Sequence, residues 1–140
     1  MQKLISTKSA VYCVDTLNLI RRGDDGPLFP DENSAISALL ELVQDALDGA
    51  LRDCEFRLFV DGAGGNFPFR PPKGVLFRFS GSESADDLIL DTACYLKASG
   101  RRVVVVSSDG GVLALARAEG VKCLSCDSFL ALCRKASSSL

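Results

Sequence analysis

Four consecutive valines at residues 103–106 constrain the fold of this chain more than any other feature. A strand that is apolar on both faces is typical of the interior of a parallel sheet covered by helices on both sides. Further apolar runs of strand length occupy residues 10–14, 56–60, 75–79 and 121–124, and most are separated by helical patterns or helix-length crossovers. The alternation predicts an α/β fold, a three-layer α/β/α sandwich around a mostly parallel sheet of about five strands.

Capping residues mark where the helices of this pattern begin, since Ser, Asp and Asn accept hydrogen bonds from the first backbone N–H groups of a helix. The helix after the third strand is predicted to end at Gly100, and the next one at Gly120. The candidate N-caps are Asp31, Asn33 or Ser34 for the first long helix, Ser82 or Ser84 for the helix after the third strand, and Asp127 for the last helix.

Length and composition favour one globular domain spanning residues 1–140. The chain has 140 residues, of which 47% are hydrophobic, enough for a core of its own. No apolar run approaches the roughly 20 residues that cross a bilayer, and the first residues lack the apolar stretch of a signal peptide. We therefore expect a cytoplasmic protein.

The residue types that are missing limit the possible chemistry. The chain has no histidine, which excludes Ser-His-Asp and Cys-His catalysis and histidine metal sites. It has six cysteines, but Cys123 and Cys126 lack the two further ligands that a structural zinc site needs. The cysteines are interpreted as structural or incidental. The net charge of −2 gives no global attraction for nucleic acid.

Acidic residues follow the predicted strands where each strand ends. Because ligands of open parallel sheets bind outside the carboxyl ends of the strands, we expect these side chains to share one rim. Oxygen ligands without His or Cys suit Mg²⁺ or Mn²⁺, which can activate water against a phosphodiester. The candidate residues are Asp15, Asp61 and Asp109 at three strand ends, and Glu83, Asp86 and Asp87 at the start of a helix.

Helix capping offers a structural interpretation of several of these acids. A carboxylate at a helix N-terminus is stabilised by free N–H groups and by the helix dipole, whatever its function. This alternative applies to Glu83, Asp86, Asp87 and Asp109. The capping interpretation does not extend to Asp15 and Asp61, because each of them is predicted to end a strand well before any helix begins.

Four segments resemble the motifs of a known family, in the family's order, over residues 12–132. VDTLNLI at residues 14–20 resembles the D-x-x-N opening of NYN domains, and LFVDG at 58–62 resembles their second strand. FSGSESADDLI at 79–89 is similar to the F-S-x-x-x-E-T-A-D-x-x-I segment of the YacP-like branch. The stretch from the valine strand through S-S-D to the closing S-F-L, residues 103–130, resembles the end of that branch. The chain is thus identified as a suspected NYN domain of the PIN-like superfamily.

The resemblance implies a PIN-like sandwich with metal-dependent endoribonuclease activity. The acids that match Asp15, Asp86 and Asp109 hold the metal in such proteins, and those that match Asp61, Glu83 and Asp87 lie in or beside the site. Asn18 matches a residue that orients the first aspartate or contacts phosphate, and Ser108 stands in the S-S-D motif. The YacP-like branch also implies cleavage of mRNA on ribosomes, so RNA and the ribosome are the expected partners.

Three departures from the family pattern concern the strength of catalysis and the choice of substrate. The opening motif lacks the usual Gly and aromatic residue between Asp15 and Asn18, and Gly110 and Gly111 stand where the family often has an Arg and a small residue. The chain is also shorter after the first strand. These departures keep open a second interpretation, a non-catalytic RNA- or ribosome-binding module on the same fold.

A Gly/Pro-rich loop at residues 62–74 carries the candidate RNA contacts. Arg70 and Lys73 are predicted to bind substrate phosphates, and Phe67 and Phe69 beside them are a candidate stacking platform for bases. The alternative is that the loop folds its phenylalanines back onto the domain. Further basic residues that can steer RNA are Arg21, Arg22 and Arg78.

Overall fold

The computed structural model describes residues 9–21, 31–64 and 67–137. Within these ranges five strands and five helices alternate along most of the chain, as the apolar pattern predicts. In chain order they are β1 (Val11–Asp15), α1 (Thr16–Ile20), α2 (Glu32–Asp48), β2 (Glu55–Val60), β3 (Val75–Phe79), α3 (Ala85–Ala98), β4 (Val103–Val106), α4 (Gly110–Ala118), β5 (Lys122–Leu124) and α5 (Cys126–Ser137).

The strands form one parallel sheet in the order β3-β2-β1-β4-β5. β1 lies at the centre, where Val11 is opposite Glu55 of β2 on one side and Val103 of β4 on the other. The chain first extends the sheet from β1 to β3, and it then returns to the other side of β1 with β4. The order therefore reverses between β1 and β4, and this reversal opens a crevice at the carboxyl ends of the two strands.

Helices cover both faces of the sheet, so the predicted three-layer α/β/α architecture is confirmed. α2 and α5 pack on the face that holds Val104 and Val106, and α3 and α4 pack on the face that holds Val103 and Val105. The valine run is buried along its whole length for this reason: successive side chains enter opposite layers. On the α2–α5 face, the Tyr12 ring stacks on Phe56 at 5.2 Å between centroids.

Hydrogen bonds at the helix N-termini settle which predicted caps are used. Asp31 caps α2, and its Oδ1 accepts from the Ser34 N–H at 2.7 Å. Of the two candidates before α3 it is Ser84 that caps the helix, by accepting from the Asp87 N–H at 3.1 Å. The predicted end of α3 is confirmed by the left-handed conformation of Gly100, two residues past the helix.

Two predictions about helix ends are wrong. α1 begins at Thr16, directly after Asp15, although no helix was expected there. α5 begins at Cys126, so Asp127 lies inside its first turn and does not cap it; the Ser125 hydroxyl accepts from the Ser128 N–H instead. The five-residue helix α1 is too short to show a periodic pattern. Before α5, Ser125 and Asp127 are both capping residue types two positions apart, and the sequence alone does not rank them.

Two features of the described residues bear on the interpretation of the composition: the state of the cysteines and the lengths of the helices. The six cysteines are thiols that are not joined in disulfides, and four of them, Cys13, Cys54, Cys126 and Cys133, are buried. In the three ranges that the structure describes, no helix combines the length and the apolar character needed to span a bilayer.

Gly49, the C-cap of α2, tests how closely α2 and α5 pack. A Cβ at this position would lie 2.3 Å from the backbone oxygen of Ala136 in α5. We expect Gly49→Ala to lower the free energy of unfolding by about 1–3 kcal/mol in urea titrations, because the helices must separate. Gly110→Ala is the matched control, since nothing lies within 4 Å of the added Cβ. Equal stability of the two variants would contradict this account of the helix contact.

Candidate metal centre at the carboxyl edge of the sheet

Asp15 is a buried acid at the carboxyl end of the central strand. It is the last residue of β1 and its side chain is only 7% exposed. The pKa of Asp15 is raised to about 6, mainly by burial and in addition by the charges of Asp86 and Asp61, whereas hydrogen bonds from Asn18 and Ser107 oppose the shift. Ionised Asp15 therefore stays in the fold at a cost, and a bound cation would relieve that cost.

Asp86 is the second acid whose surroundings disfavour its charge. It lies half-buried in the first turn of α3. Burial raises its pKa, and the charges of Asp109, Asp61 and Asp87 raise it further. Since Asp86 also acts on Asp15, the acids predicted to share a rim do interact with one another through space.

Asp61 connects the end of β2 to the start of α3. Its Oδ1 accepts a hydrogen bond from the Ala85 backbone N–H at 2.8 Å, across 24 residues of sequence. This bond holds the first turn of α3, and with it Asp86, against the carboxyl edge of the sheet. Asp61 thus also accepts a hydrogen bond at the N-terminus of α3, whereas the sequence did not predict a capping role for it.

Asp109 caps α4 with one oxygen atom. Its Oδ1 accepts from the backbone N–H groups of Gly111 and Val112, at 2.8 and 3.1 Å. No described residue donates to the other oxygen, Oδ2. A Cβ on Gly111 would lie 3.2 Å from Oδ1, so glycine leaves room for this tight cap. The capping interpretation of Asp109 is correct, and one carboxylate oxygen stays available to a ligand.

Glu83 and Asp87 lie at the exposed margin of this group. The charge of Asp87 contributes to the raised pKa of Asp86. Glu83 stands in the turn before α3, where its backbone N–H donates to Ser80 at 3.1 Å. No hydrogen bond or ion pair from another described residue holds the Glu83 carboxylate at the rim.

A buried serine that the sequence did not single out connects the acids. Ser107 is fully buried, and its Oγ lies 3.3 Å from Asp15 Oδ2 and 3.3 Å from Asn18 Oδ1. The same oxygen accepts from the Asp109 backbone N–H at 3.1 Å. Ser107 therefore links the ends of β1 and β4. Its position directly after a fully buried strand was the signal that could have identified it.

Asn18 and Ser108 close the crevice between β1, β4 and α5. Asn18 Oδ1 accepts from the Ser108 backbone N–H at 2.7 Å and from Cys126 Sγ at 3.4 Å. The Ser108 hydroxyl accepts from the Cys126 N–H at 3.1 Å. These bonds fix the Asn18 amide with its oxygen turned inward, and none of the described residues accepts a hydrogen bond from Nδ2.

The basic residues predicted to contact or steer RNA fall into two groups. Arg70 and Lys73 are exposed, and neither pairs with a carboxylate among the described residues. Arg78 is half-buried within β3, and Arg21 pairs with Glu32 instead of standing free for RNA. Arg22, also proposed to steer RNA, lies outside the described residues.

The phenylalanines of the loop pack back onto the sheet, as the alternative interpretation predicted. The Phe67 ring makes edge contacts with Phe77 at 4.7 Å and with Phe79 at 4.9 Å between centroids. Phe69 contacts Phe67 in turn at 5.1 Å. Phe67 is therefore not the free platform that the sequence suggested, whereas Phe69 lies at the outer end of the cluster.

The donor set at this edge fits a hard divalent cation in its chemistry. All the candidate ligands are carboxylates, and no lysine or arginine in the described ranges forms an ion pair with Asp15, Asp61, Asp86 or Asp109. Oxygen-only ligands that interact unfavourably with each other match the preference of Mg²⁺ and Mn²⁺. In the described part of the chain, no three acidic or thiol side chains form a ready-made metal cage.

Comparisons with known proteins agree with this architecture. A family model of the PIN domain matches residues 18–127, which leaves Asp15 just outside the matched segment. The chain is similar to the crystal structure of Rae1 (YacP) from Bacillus subtilis, with a TM-score of 0.73 and 16% identity over 91% of this chain and 75% of that chain. A mutant of the same protein gives a TM-score of 0.69 and 18% identity, over 92% and 77%. At these identities the likeness shows the fold alone. No curated protein sequence matches the chain.

The raised pKa of Asp15 predicts how stability changes with pH. Because its pKa is raised from 3.8 to about 6, the unfavourable ionised form accumulates in the folded protein as the pH rises through this range. Asp15→Asn removes that cost, so in EDTA its stability relative to wild type should rise by roughly 2–3 kcal/mol between pH 4 and 7. Urea unfolding at each pH measures the difference.

The control for this prediction is Asp45→Asn, at an exposed position of α2. Its stability should stay within about 0.5 kcal/mol of wild type across the same range. If the Asp15→Asn and wild-type curves stay parallel from pH 4 to 7, Asp15 is not a costly buried charge.

Proposed function

This chain belongs to the PIN domain family, and on that basis we propose that it is a metal-dependent endoribonuclease that hydrolyses RNA phosphodiester bonds. One observation carries the proposal most directly. The charges of Asp86 and Asp61 raise the pKa of buried Asp15, and the charges of Asp109 and Asp61 raise the pKa of Asp86, so acids from four separate segments influence one another at the β1–β4 crevice. Such a group is expensive in a fold unless a cation is part of its function.

We assign the metal to Asp15, Asp86 and Asp109, with Asp61 and Glu83 beside it. Asp15 supplies a buried carboxylate, and Asp109 supplies the oxygen that its capping role does not use. When bound, Mg²⁺ or Mn²⁺ would activate a water molecule and offset the charge on the scissile phosphate.

The chain's own residues have separate tasks in this proposal. Ser107 holds the carboxylate of Asp15 in place, and the Asp61 bond to Ala85 holds α3 so that Asp86 faces the crevice. Asp87 is exposed beside Asp86 and is the acid placed to exchange a proton with solvent. The Nδ2 of Asn18, which has no acceptor among the described residues, is a candidate donor to a phosphate oxygen.

The remaining parts of the proposal follow from the resemblance to the YacP-like branch. We propose that the substrate is RNA, that ribosome-associated mRNA is a candidate, and that residues 1–140 act as one domain in the cytoplasm. Ser108, Arg70 and Lys73 are assigned to substrate binding. Arg70 and Lys73 support this role through their exposure and their lack of carboxylate partners among the described residues.

A non-catalytic RNA- or ribosome-binding module is the second candidate. One observation favours it: Asp109 uses one oxygen to cap α4, and the described acids do not form a ready-made cage. The two candidates differ in a simple way. The module binds RNA without divalent metal and leaves it intact, whereas the nuclease requires the metal to cut.

Cleavage of a labelled single-stranded RNA with Mn²⁺ tests the nuclease. We expect Asp15→Asn and Asp86→Asn each to lower the cleavage rate more than about 100-fold, since even outer-shell partners of a metal cost 10- to 100-fold. Asp91→Asn is the matched control, because Asp91 is an exposed acid of the same helix as Asp86. The Asp91→Asn chain should cleave at the wild-type rate, and EDTA should stop cleavage by this variant and by the wild type.

Two results would contradict the nuclease proposal. One is a purified wild-type chain that leaves RNA intact in Mn²⁺ and in Mg²⁺. The other is a doubly substituted Asp15→Asn, Asp86→Asn chain that cuts as fast as wild type, which would assign the activity to other residues or to a contaminant.

Ser107 provides a separate prediction about metal affinity. Because its hydroxyl positions Asp15, Ser107→Ala should weaken Mn²⁺ binding about 10- to 100-fold in titration calorimetry, and Ser107→Thr should restore most of it. Ser108→Ala is the control, since that hydroxyl bonds to the Cys126 N–H and not to an acid. Equal Mn²⁺ affinity of the Ser107→Ala and Ser108→Ala chains would show that Ser107 positions no ligand.

A further inference from the structure

Charge is unevenly distributed along this chain, and residues 62–82 form its longest segment without an acid. The chain has 18 acidic residues in 140, yet residues 62–82 contain none, while they contain Arg70, Lys73 and Arg78. Asp61 and Glu83, two of the candidate site acids, flank this segment directly. A positive segment that begins and ends at an acidic rim points to an anionic partner that reaches the rim.

The segment starts at the candidate metal centre. The Gly62 N–H donates to Ser80 Oγ at 3.2 Å, and the Gly81 N–H donates to the Gly62 carbonyl at 2.9 Å. Gly64 lies against the Phe79 ring, where a Cβ would come within 2.6 Å of the ring carbon Cγ. The first residues of the loop are therefore fixed at the carboxyl end of β3, beside Asp61.

The segment then runs along β3 to the other end of the strand. Phe67 packs on Phe77 and Phe79, and Gly74 reaches Leu47 of α2, with a Cβ position 3.2 Å from the Leu47 side chain. Five residues of parallel strand span about 16 Å, and the described residues of the loop cover the Phe77–Phe79 face of β3 within that length. Among the described strands, β3 is the last on this side and pairs with β2 alone.

This edge combines aromatic and basic side chains at the surface. We call it the aromatic–basic edge, and define it by Phe67, Phe69, Phe77, Phe79, Arg70 and Lys73. All four rings are half-buried, so they cover β3 but still present apolar surface to solvent. Arg70 and Lys73 are exposed and have no carboxylate partner within the described ranges.

Arg78 is not part of this surface. Side chains alternate along a strand, so Arg78 lies on the face opposite Phe77 and Phe79. Burial raises the pKa of the Cys13 thiol in the core on the α3–α4 face, and the charge of Arg78 is among those that oppose the shift.

We propose that the aromatic–basic edge binds the unpaired RNA strand that leads away from the candidate metal centre. The inference rests on the proposed function, because it takes RNA as the substrate and gives its path and its form. The part of the half-buried Phe69 ring that faces solvent can stack on a nucleobase. Only unpaired bases offer their faces for such stacking. Arg70 and Lys73 offset the phosphate charges that the acidic rim would otherwise repel.

Binding by a catalytically disabled chain tests the inference without requiring cleavage. The Asp86→Asn chain is titrated in Mg²⁺ against a fluorescein-labelled single-stranded RNA of mixed sequence and against the same RNA as a duplex, with anisotropy as the readout. Phe69→Leu, Arg70→Gln and Lys73→Gln are added singly. The controls are Tyr95→Leu, at an exposed aromatic of α3, and Lys122→Gln, on the edge strand at the other side of the sheet.

We expect the single strand to bind more tightly than the duplex. Phe69→Leu should weaken single-strand binding at least about fivefold, as the loss of a stacked base does. Arg70→Gln and Lys73→Gln should each weaken it and lower the slope of log affinity against log salt by about one. Tyr95→Leu and Lys122→Gln should bind as the parent chain does.

Three results would overturn the inference. One is tighter binding of the duplex than of the single strand. The others are unchanged affinity, relative to the Asp86→Asn parent, in all three of the Phe69→Leu, Arg70→Gln and Lys73→Gln chains, or an equal loss of affinity in Lys73→Gln and Lys122→Gln. The charge variants decide the matter even if Phe69→Leu unfolds, because they change exposed side chains only. The proposed function fails separately, when the wild-type chain does not cut RNA in Mn²⁺. An intact nuclease whose edge variants bind normally removes only the inference.

Discussion

A carboxylate buried at the end of the central strand is the constraint on which the rest of this structure depends. Asp15 ends β1 in the middle of the sheet, almost without solvent, and its neighbours at the crevice include other acids. Most folds would replace such a residue, since its ionised form costs free energy. Here the surroundings are arranged to keep it: Ser107 and the Asn18 backbone give it hydrogen bonds, and the strand order places it at the point of reversal.

Helix capping and the candidate site use the same side chains. Asp61 binds the first N–H of α3, and Asp109 binds two N–H groups of α4, each through Oδ1. From the sequence, helix capping and ligand binding are competing interpretations of these acids. A carboxylate has two oxygen atoms, however, so one can accept from a helix N-terminus while the other binds a ligand. The caps also explain how flexible acids keep fixed positions: the helix N-termini hold them in place, and α3 in turn carries Asp86 to the rim.

The connection from β2 to β3 shapes the second surface of the molecule. Here the crossover contains a loop with no helix among its described residues, and the Phe67 ring covers Phe77 and Phe79 in place of a helix. A ring covers less of a strand than a helix does, so apolar surface stays partly exposed along the edge. Cations without acids in the same segment keep that surface positive next to an acidic rim. The two surfaces have opposite charge because the acids lie at strand ends and the loop contains none.

The sequence by itself determined the layers, the strands and the edge of the sheet at which Asp15, Asp61 and Asp109 lie, because apolar periodicity is a local property and helix-length crossovers imply parallel strands. Only the tertiary structure decided which atoms meet. The contact of Ser107 with Asp15 joins residues 92 positions apart, and no local pattern encodes it. Helix α1 has five residues, fewer than a periodic signal needs, and Leu19 holds it through the core. The sequence allows Phe67 to be exposed or packed on the domain, and the contact with Phe77 of β3 decides between the two, since burial depends on neighbours from elsewhere in the chain.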